Sequence, residues 1–247
     1  MTIPIFCGPT LYGAEVGPDI ELLPPAKQGD LYRAAKRGAP AIGLIDGCFD
    51  QAPAVAHKEI LWAMARGIHV FGASSMGALR AAELEAFGME GVGAIFAQYR
   101  DGTLEDDDDV AVAHATAEHG YRPLSEAMVN IRATFAAAAS EGVIQPDTHH
   151  ALVQIAKALF YEERRYPLIL AIAERQSISP ADVRALRDFL PAGRVDLKRR
   201  DALALLTRMA EHPRTGPEAK KVRYVFSHTE AWESLRRRIE AEGPPPA

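Results

Sequence analysis

The first ninety residues alternate between two kinds of apolar spacing. Ile3 to Cys7, Ala41 to Ile45 and Ile68 to Phe71 are short continuous apolar runs. Each ends in a turn signal: Gly8-Pro9, Asp46-Gly47 and Gly72-Ala73-Ser74-Ser75. Between the runs lie stretches with helical spacing. Leu31 to Arg37 is closed by Gly38. Val55 to Arg66 carries Val55, Ile60, Leu61 and Met64 at helical intervals and is closed by Gly67. Met76 to Phe87 is closed by Gly88. Continuous apolar runs with intervening helices read as strands of a buried parallel sheet.

From about residue 90 the pattern changes to alanine-rich amphipathic segments. Helices are expected over Leu124 to Ser140, Asp147 to Arg165 and Leu197 to Glu211. Ser179-Pro180-Ala181-Asp182 opens another, with a hydroxyl cap, proline at the first helical position and an acid near the positive end of the dipole. The expected fold is α/β: a small parallel βαβ-type sheet in the N-terminal third and a largely α-helical C-terminal remainder. Residues 1–90 form the core with the site, residues 91–242 pack on it, and the Gly-Pro-rich 243–247 is a disordered tail.

Composition narrows the function classes. With 28 basic and 33 acidic side chains the net charge is −5, which argues against non-specific nucleic-acid binding. A hydrophobic share of 48% is enough for a real core. Two cysteines, Cys7 and Cys48, exclude a disulfide scaffold and a four-cysteine zinc site, and fit a reducing cytoplasm. No stretch reaches the ~18 apolar residues of a membrane span, and Met1 to Phe6 lacks the basic start of a signal peptide. No membrane association is therefore expected.

Topology then suggests where chemistry can gather. In a right-handed β-α-β unit the carboxyl ends of both strands and the start of the helix share one edge. Asp46 and Gly47 leave the second strand there, Lys58 falls early in the next helix, and Ser74 and Ser75 leave the third strand. Ala73-Ser74-Ser75-Met76-Gly77 resembles the strand–turn–helix serine elbow G-x-S-x-G, with Ala73 in place of the first glycine. Ser75 is then the candidate nucleophile, and the Met76 amide the candidate oxyanion donor. The same turn, Gly72 to Gly77, equally suits phosphate, and both serines suit plain helix capping. Lys58 is the candidate base, with a surface lysine as the competing reading; His57 ranks second. Asp46 can hold Lys58 or a substrate amine, or can be a simple turn residue. Arg80 is placed to hold a carboxylate or thiocarboxylate, or to pair with Glu83. Cys7 and Cys48 approach the same edge. Asp106 to Asp109 reads as a solvated loop, a Mg²⁺ site or a contact for a basic partner. Metalloprotease, P-loop and dinucleotide motifs are missing, so no metal or cofactor is expected.

Three blocks in order carry a family resemblance: Gly43-Leu44-Ile45-Asp46-Gly47-Cys48-Phe49, His57-Lys58-Glu59-Ile60-Leu61, and Gly72 through Leu84. They resemble the core of TfuA-like proteins, over about residues 1 to 140. Val195-Asp196-Leu197-Lys198-Arg199-Arg200-Asp201-Ala202 adds a fainter echo. The resemblance implies a cytoplasmic partner of YcaO enzymes, which replace a peptide amide oxygen with sulfur in modified-peptide biosynthesis. It implies hydrolysis of the C-terminal thiocarboxylate of a ThiS-type sulfur carrier by a Ser–Lys pair, with contact to YcaO and to its precursor peptide. The matching positions are Ser75 or Ser74, with Lys58; Gly47, His57, Met76, Gly77, Arg80 and Asp46 then surround the substrate. A non-catalytic adaptor and a nucleotide-binding α/β protein are the alternatives.

Overall fold

The computed structural model describes residues 2–49, 52–212 and 218–242. Five strands form one all-parallel sheet: β1 (Ile3–Phe6), β2 (Ile20–Leu23), β3 (Ala41–Leu44), β4 (His69–Ala73) and β5 (Glu90–Val92). Their order is β2-β1-β3-β4-β5. The register sets Ile5 beside Gly43, Gly43 beside Phe71 and Phe71 beside Glu90. Helices α1 (Asp30–Lys36), α2 (His57–Ala65) and α3 (Met76–Leu84) connect successive strands. The fold is α/β, as the apolar spacing predicts. The two outer strands carry no apolar run: β2 is only partly buried, and β5 is three residues with a central glycine.

Side chains alternate across the sheet, so each strand feeds two cores. Phe6, Ile42, Leu44 and Val70 face α1, α2 and α3. Ile3, Ile5, Cys7, Ala41, Ile45, Phe71 and Ala73 face the other way, onto Ala202, Leu205 and Met209 of α9 (Leu197–Ala210). Connecting helices of a parallel sheet wound in one direction lie on one face, so the second face needs a helix from elsewhere in the chain. Helix α9 fills that need and lies close: a Cβ on Gly43 would meet Met209 Sδ at 2.8 Å. It runs antiparallel to the strands, with Lys198 at their carboxyl edge and His212, just past its end, in tilted ring contact with His69 at their start.

Between the sheet and α9 come α4 (Ala94–Arg100), α5 (Met128–Ser140), α6 (Pro146–Ala158), α7 (Tyr166–Arg175) and α8 (Pro180–Gly193). The last four share a separate core around Met128, Ile131, Phe135, Leu152, Ile169 and Leu186. Ser179 caps α8 as its sequence suggests, accepting from the Asp182 amide at 3.3 Å. The single helix expected over Asp147 to Arg165 ends at Ala158; α7 restarts at Tyr166, with Pro167 in its first turn. Proline cannot continue a helix from upstream but suits a new first turn. Finally α10 (Glu230–Glu242) returns to the sheet domain, burying Trp232 against Tyr32 and Trp62. The tail at 243–247 lies outside the described residues. Among those residues no helix is long and apolar enough to cross a membrane.

Candidate active site

Strand β4 ends at Ala73 and α3 begins at Met76, leaving two residues to reverse the chain. Ser74 takes a left-handed φ of 68°, and the Ser75 amide donates to Ala73 O at 2.8 Å. This is a γ-turn in its strained, positive-φ form. What forces it is helix–strand contact. A Cβ on Gly77 would lie 1.8 Å from Leu44 O, and one on Gly72 would lie 2.1 Å from Gly77 O. Small residues at both places let α3 start directly against the sheet, where the Gly77 amide donates to Ile45 O at 3.1 Å.

The two serines have different surroundings. Ser74 is fully buried, and its hydroxyl meets no partner among the described residues. Ser75 lines a cavity of about 1180 Å³. Its Oγ accepts from Lys198 Nζ at 3.1 Å and donates weakly to Val110 O at 3.4 Å. Lys198 Nζ also donates to Val110 O, at 2.7 Å. Lys198 is only 4% exposed, in the first turn of α9, which is capped by Asp196. Asn130 fixes that turn further by accepting from the Lys198 amide at 3.0 Å.

Lys58, the amine that strand-order topology placed next to Ser75, is elsewhere. Its Nζ donates to Ser227 O at 2.8 Å and lies 4.7 Å from the Phe226 ring centre. Helix α2 turns Glu59, Ile60 and Ala63 inward, so the neighbouring Lys58 faces the segment that leads into α10. His57, the second candidate base, is exposed and pairs with Glu83 at 2.8 Å. Arg80 is also diverted: its Nε donates to Val55 O and its Nη1 to Glu83. It lines a smaller cavity, with Glu83, Asp106 and Asp107, that does not include Ser75.

The remaining residues stand closer to expectation. Gly47 lines the Ser75 cavity, and a Cβ there would meet the Met76 side chain at 2.8 Å. The Met76 amide, at the first position of α3, has no acceptor among the described residues. It is an unpaired donor at a helix N-terminus, though Met76 lines the smaller cavity and not the one that Ser75 lines. Asp46 is buried, but it is not among the cavity-lining residues. Its Oδ1 lies 3.8 Å from Lys198 Nζ, while Thr10, Gly8 and Cys7 all donate to its carboxylate. It therefore faces Lys198 rather than Lys58 or a substrate amine. Burial, with Asp46 beside it, pushes the Cys7 thiol far above its ordinary value, so it stays protonated. Cys48 lines the cavity, and burial raises its thiol too.

The Asp106–Asp109 run is occupied from within. Lys157 bridges Asp106, Asp108 and Asp109; Arg164 binds Asp108, and Arg132 lies 3.6 Å from Asp109. This network anchors the chain just before Val110, whose carbonyl holds both Lys198 and Ser75. Among the described residues no group of three or more His, Cys, Asp or Glu could hold a metal ion.

A family model described as TfuA-like protein matches residues 46–165. Over these residues the chain is similar to the TfuA-like protein family. The match contains Asp46, Ser74, Ser75 and the acidic run; Lys198 lies beyond it. The TfuA-like family is associated with YcaO systems, which supports a role for this chain in YcaO-associated thioamidation. No curated protein matches the chain.

Proposed function

We propose that the chain is a Ser–Lys hydrolase that releases sulfide from the C-terminal thiocarboxylate of a ThiS-type carrier and so supports peptide thioamidation by YcaO. One observation carries the reading: Lys198 Nζ lies 3.1 Å from Ser75 Oγ, both residues are buried, and Ser75 lines a large cavity. A serine is a weak nucleophile until a positioned base takes its proton, and a neutral lysine can do so. In that role Lys198 gives one N–H to Val110 O and turns its lone pair to the Ser75 hydroxyl.

Ser75 Oγ then bonds to the thiocarboxylate carbon as its proton passes to Lys198. The Met76 amide meets the developing oxyanion. The C–S bond breaks, and sulfur leaves as HS⁻ with the proton that Lys198 returns. Water, activated by the same amine, cleaves the acyl-serine and frees a carboxylate. The phosphate-turn reading is weaker, because the Ser75 and Gly77 amides are already spent on Ala73 and Ile45.

The test is sulfide release from a thiocarboxylated ThiS-type carrier without YcaO. The wild-type chain is expected to release it and to form an acyl-serine at Ser75; Ser75→Ala is expected to lose both. No release from the wild-type chain leaves the adaptor role. Full release by Ser75→Ala, together with loss in Ser74→Ala, moves the nucleophile one residue back.

A further inference from the structure

Among the described residues, Asp46 is the one carboxylate within 4 Å of Lys198 Nζ, and the 3.8 Å gap is too long for a hydrogen bond. Its oxygens are held by others. Thr10 Oγ1 donates to Oδ1 at 2.6 Å. The Gly8 and Thr10 amides donate to Oδ2 at 2.9 and 3.0 Å, and Cys7 Sγ at 3.5 Å. Two of these donors are backbone amides, which can only donate to Oδ2, while Oδ1 faces the Thr10 hydroxyl and Lys198 Nζ. At 3% exposure and off the cavity wall, it has no route to a substrate.

We propose that Asp46 is a positioning residue that acts through Lys198: its fixed charge steadies the protonated amine against Ser75 Oγ and Val110 O, and sets the pH above which the amine can take the serine proton. This rests on the Ser–Lys reading above. The other groups facing Lys198 lie farther from its amine or are neutral. Cys7, from the end of β1, stays a neutral thiol. Glu126, from the turn before α5, lies within electrostatic reach and is bonded by Asn130 Nδ2. On α9 and its cap, Asp196 is bonded by Asn130 and Arg199, and Asp201 by the Ile95 amide.

Two substitutions pull in opposite directions. Asp46→Asn keeps the shape and an acceptor for the Gly8 and Thr10 amides but deletes the charge. Thr10→Val keeps the charge but removes its strongest donor, concentrating it towards Lys198. The pH midpoint of single-turnover sulfide release from the thiocarboxylated carrier is expected to fall by about one unit or more in Asp46→Asn. It is expected to rise in Thr10→Val. A merely structural Asp46 would lower the rate at every pH and leave the midpoint in place, which overturns the proposal. If Asp46→Asn does not fold, Thr10→Val decides alone: an unchanged or lower midpoint overturns it. NMR titration of ε-¹³C-labelled lysine, with the Lys198 signal identified by its loss in Lys198→Met, reads the same amine without catalysis. There the Asp46→Asn midpoint must fall even if no sulfide is released. That outcome would sink the hydrolase and keep the Asp46–Lys198 coupling; a stationary signal sinks the coupling.

Discussion

Helices α2 and α9 cover opposite faces of the same sheet, and each carries a lysine in its first turn. One amine reaches outward to a backbone carbonyl of the C-terminal segment; the other is buried against Ser75. The contrast shows that closeness to a strand edge does not place a side chain in a cleft. What decides is which way the helix turns that residue, and which partners wait there. Lys58 follows an exposed His57, and the inward position beside it belongs to Glu59, which accepts from the Gly29, Tyr32 and Ala56 amides. Lys198 follows a capped turn whose amide Asn130 holds, and it meets Val110 O, which the salt-bridged acidic run has fixed in place.

The sharpest way to break this comparison is to remove each amine. Lys198→Met is expected to cut sulfide release about a thousandfold, or ~4 kcal/mol of barrier, whereas Lys58→Met should stay within about twofold. Equal losses would erase the distinction. A second pair separates stability from geometry. Leu205→Ala on α9 and Ile60→Ala on α2 both empty fully buried sites, and each should cost about 3 kcal/mol in urea unfolding. Activity per folded molecule should drop only for Leu205→Ala, because only α9 carries the amine proposed as the base. Asp201→Asn should cost about 1 kcal/mol, since its carboxylate caps α4 through the Ile95 amide at 2.7 Å. The smallest effect is one of pH. Burial, with the His69 ring beside it, holds the His212 imidazole below its ordinary value. The unfolded chain then takes up this proton first, so stability is full above the ordinary histidine range and falls as the solution is acidified through it. His212→Phe should flatten that part of the pH–stability curve; an unchanged curve would mean that the far end of α9 does not feel this group.

Much of this was legible in the residues. The apolar runs of β1, β3 and β4, their connecting helices and the serine turn follow from period, glycine stops and small residues at Gly72 and Gly77. The amine did not, for a geometric reason. Helices that join neighbouring strands were the only ones whose position could be inferred from chain order, and Lys58 lies on such a helix. The signal for Lys198 was present in another form. Strands apolar at successive positions, such as Ala41 to Ile45, demand cover on both faces, and α1 to α3 supply one. A later amphipathic helix with Ala202, Leu205 and Met209 on one side must supply the other. Asp196 at its cap sets Lys198 in the first turn. No local pattern, however, tells which end of that helix reaches the serine.

The alcohol and its amine are 123 residues apart in the chain. A ribosome therefore completes the Ser75 turn long before it makes the lysine that meets it, and the contact between them forms only once the later part of the chain has folded back. Any fragment cut to residues 46–165 lacks that contact permanently, and leaves Phe71 and Ala73 without the helix that shelters them.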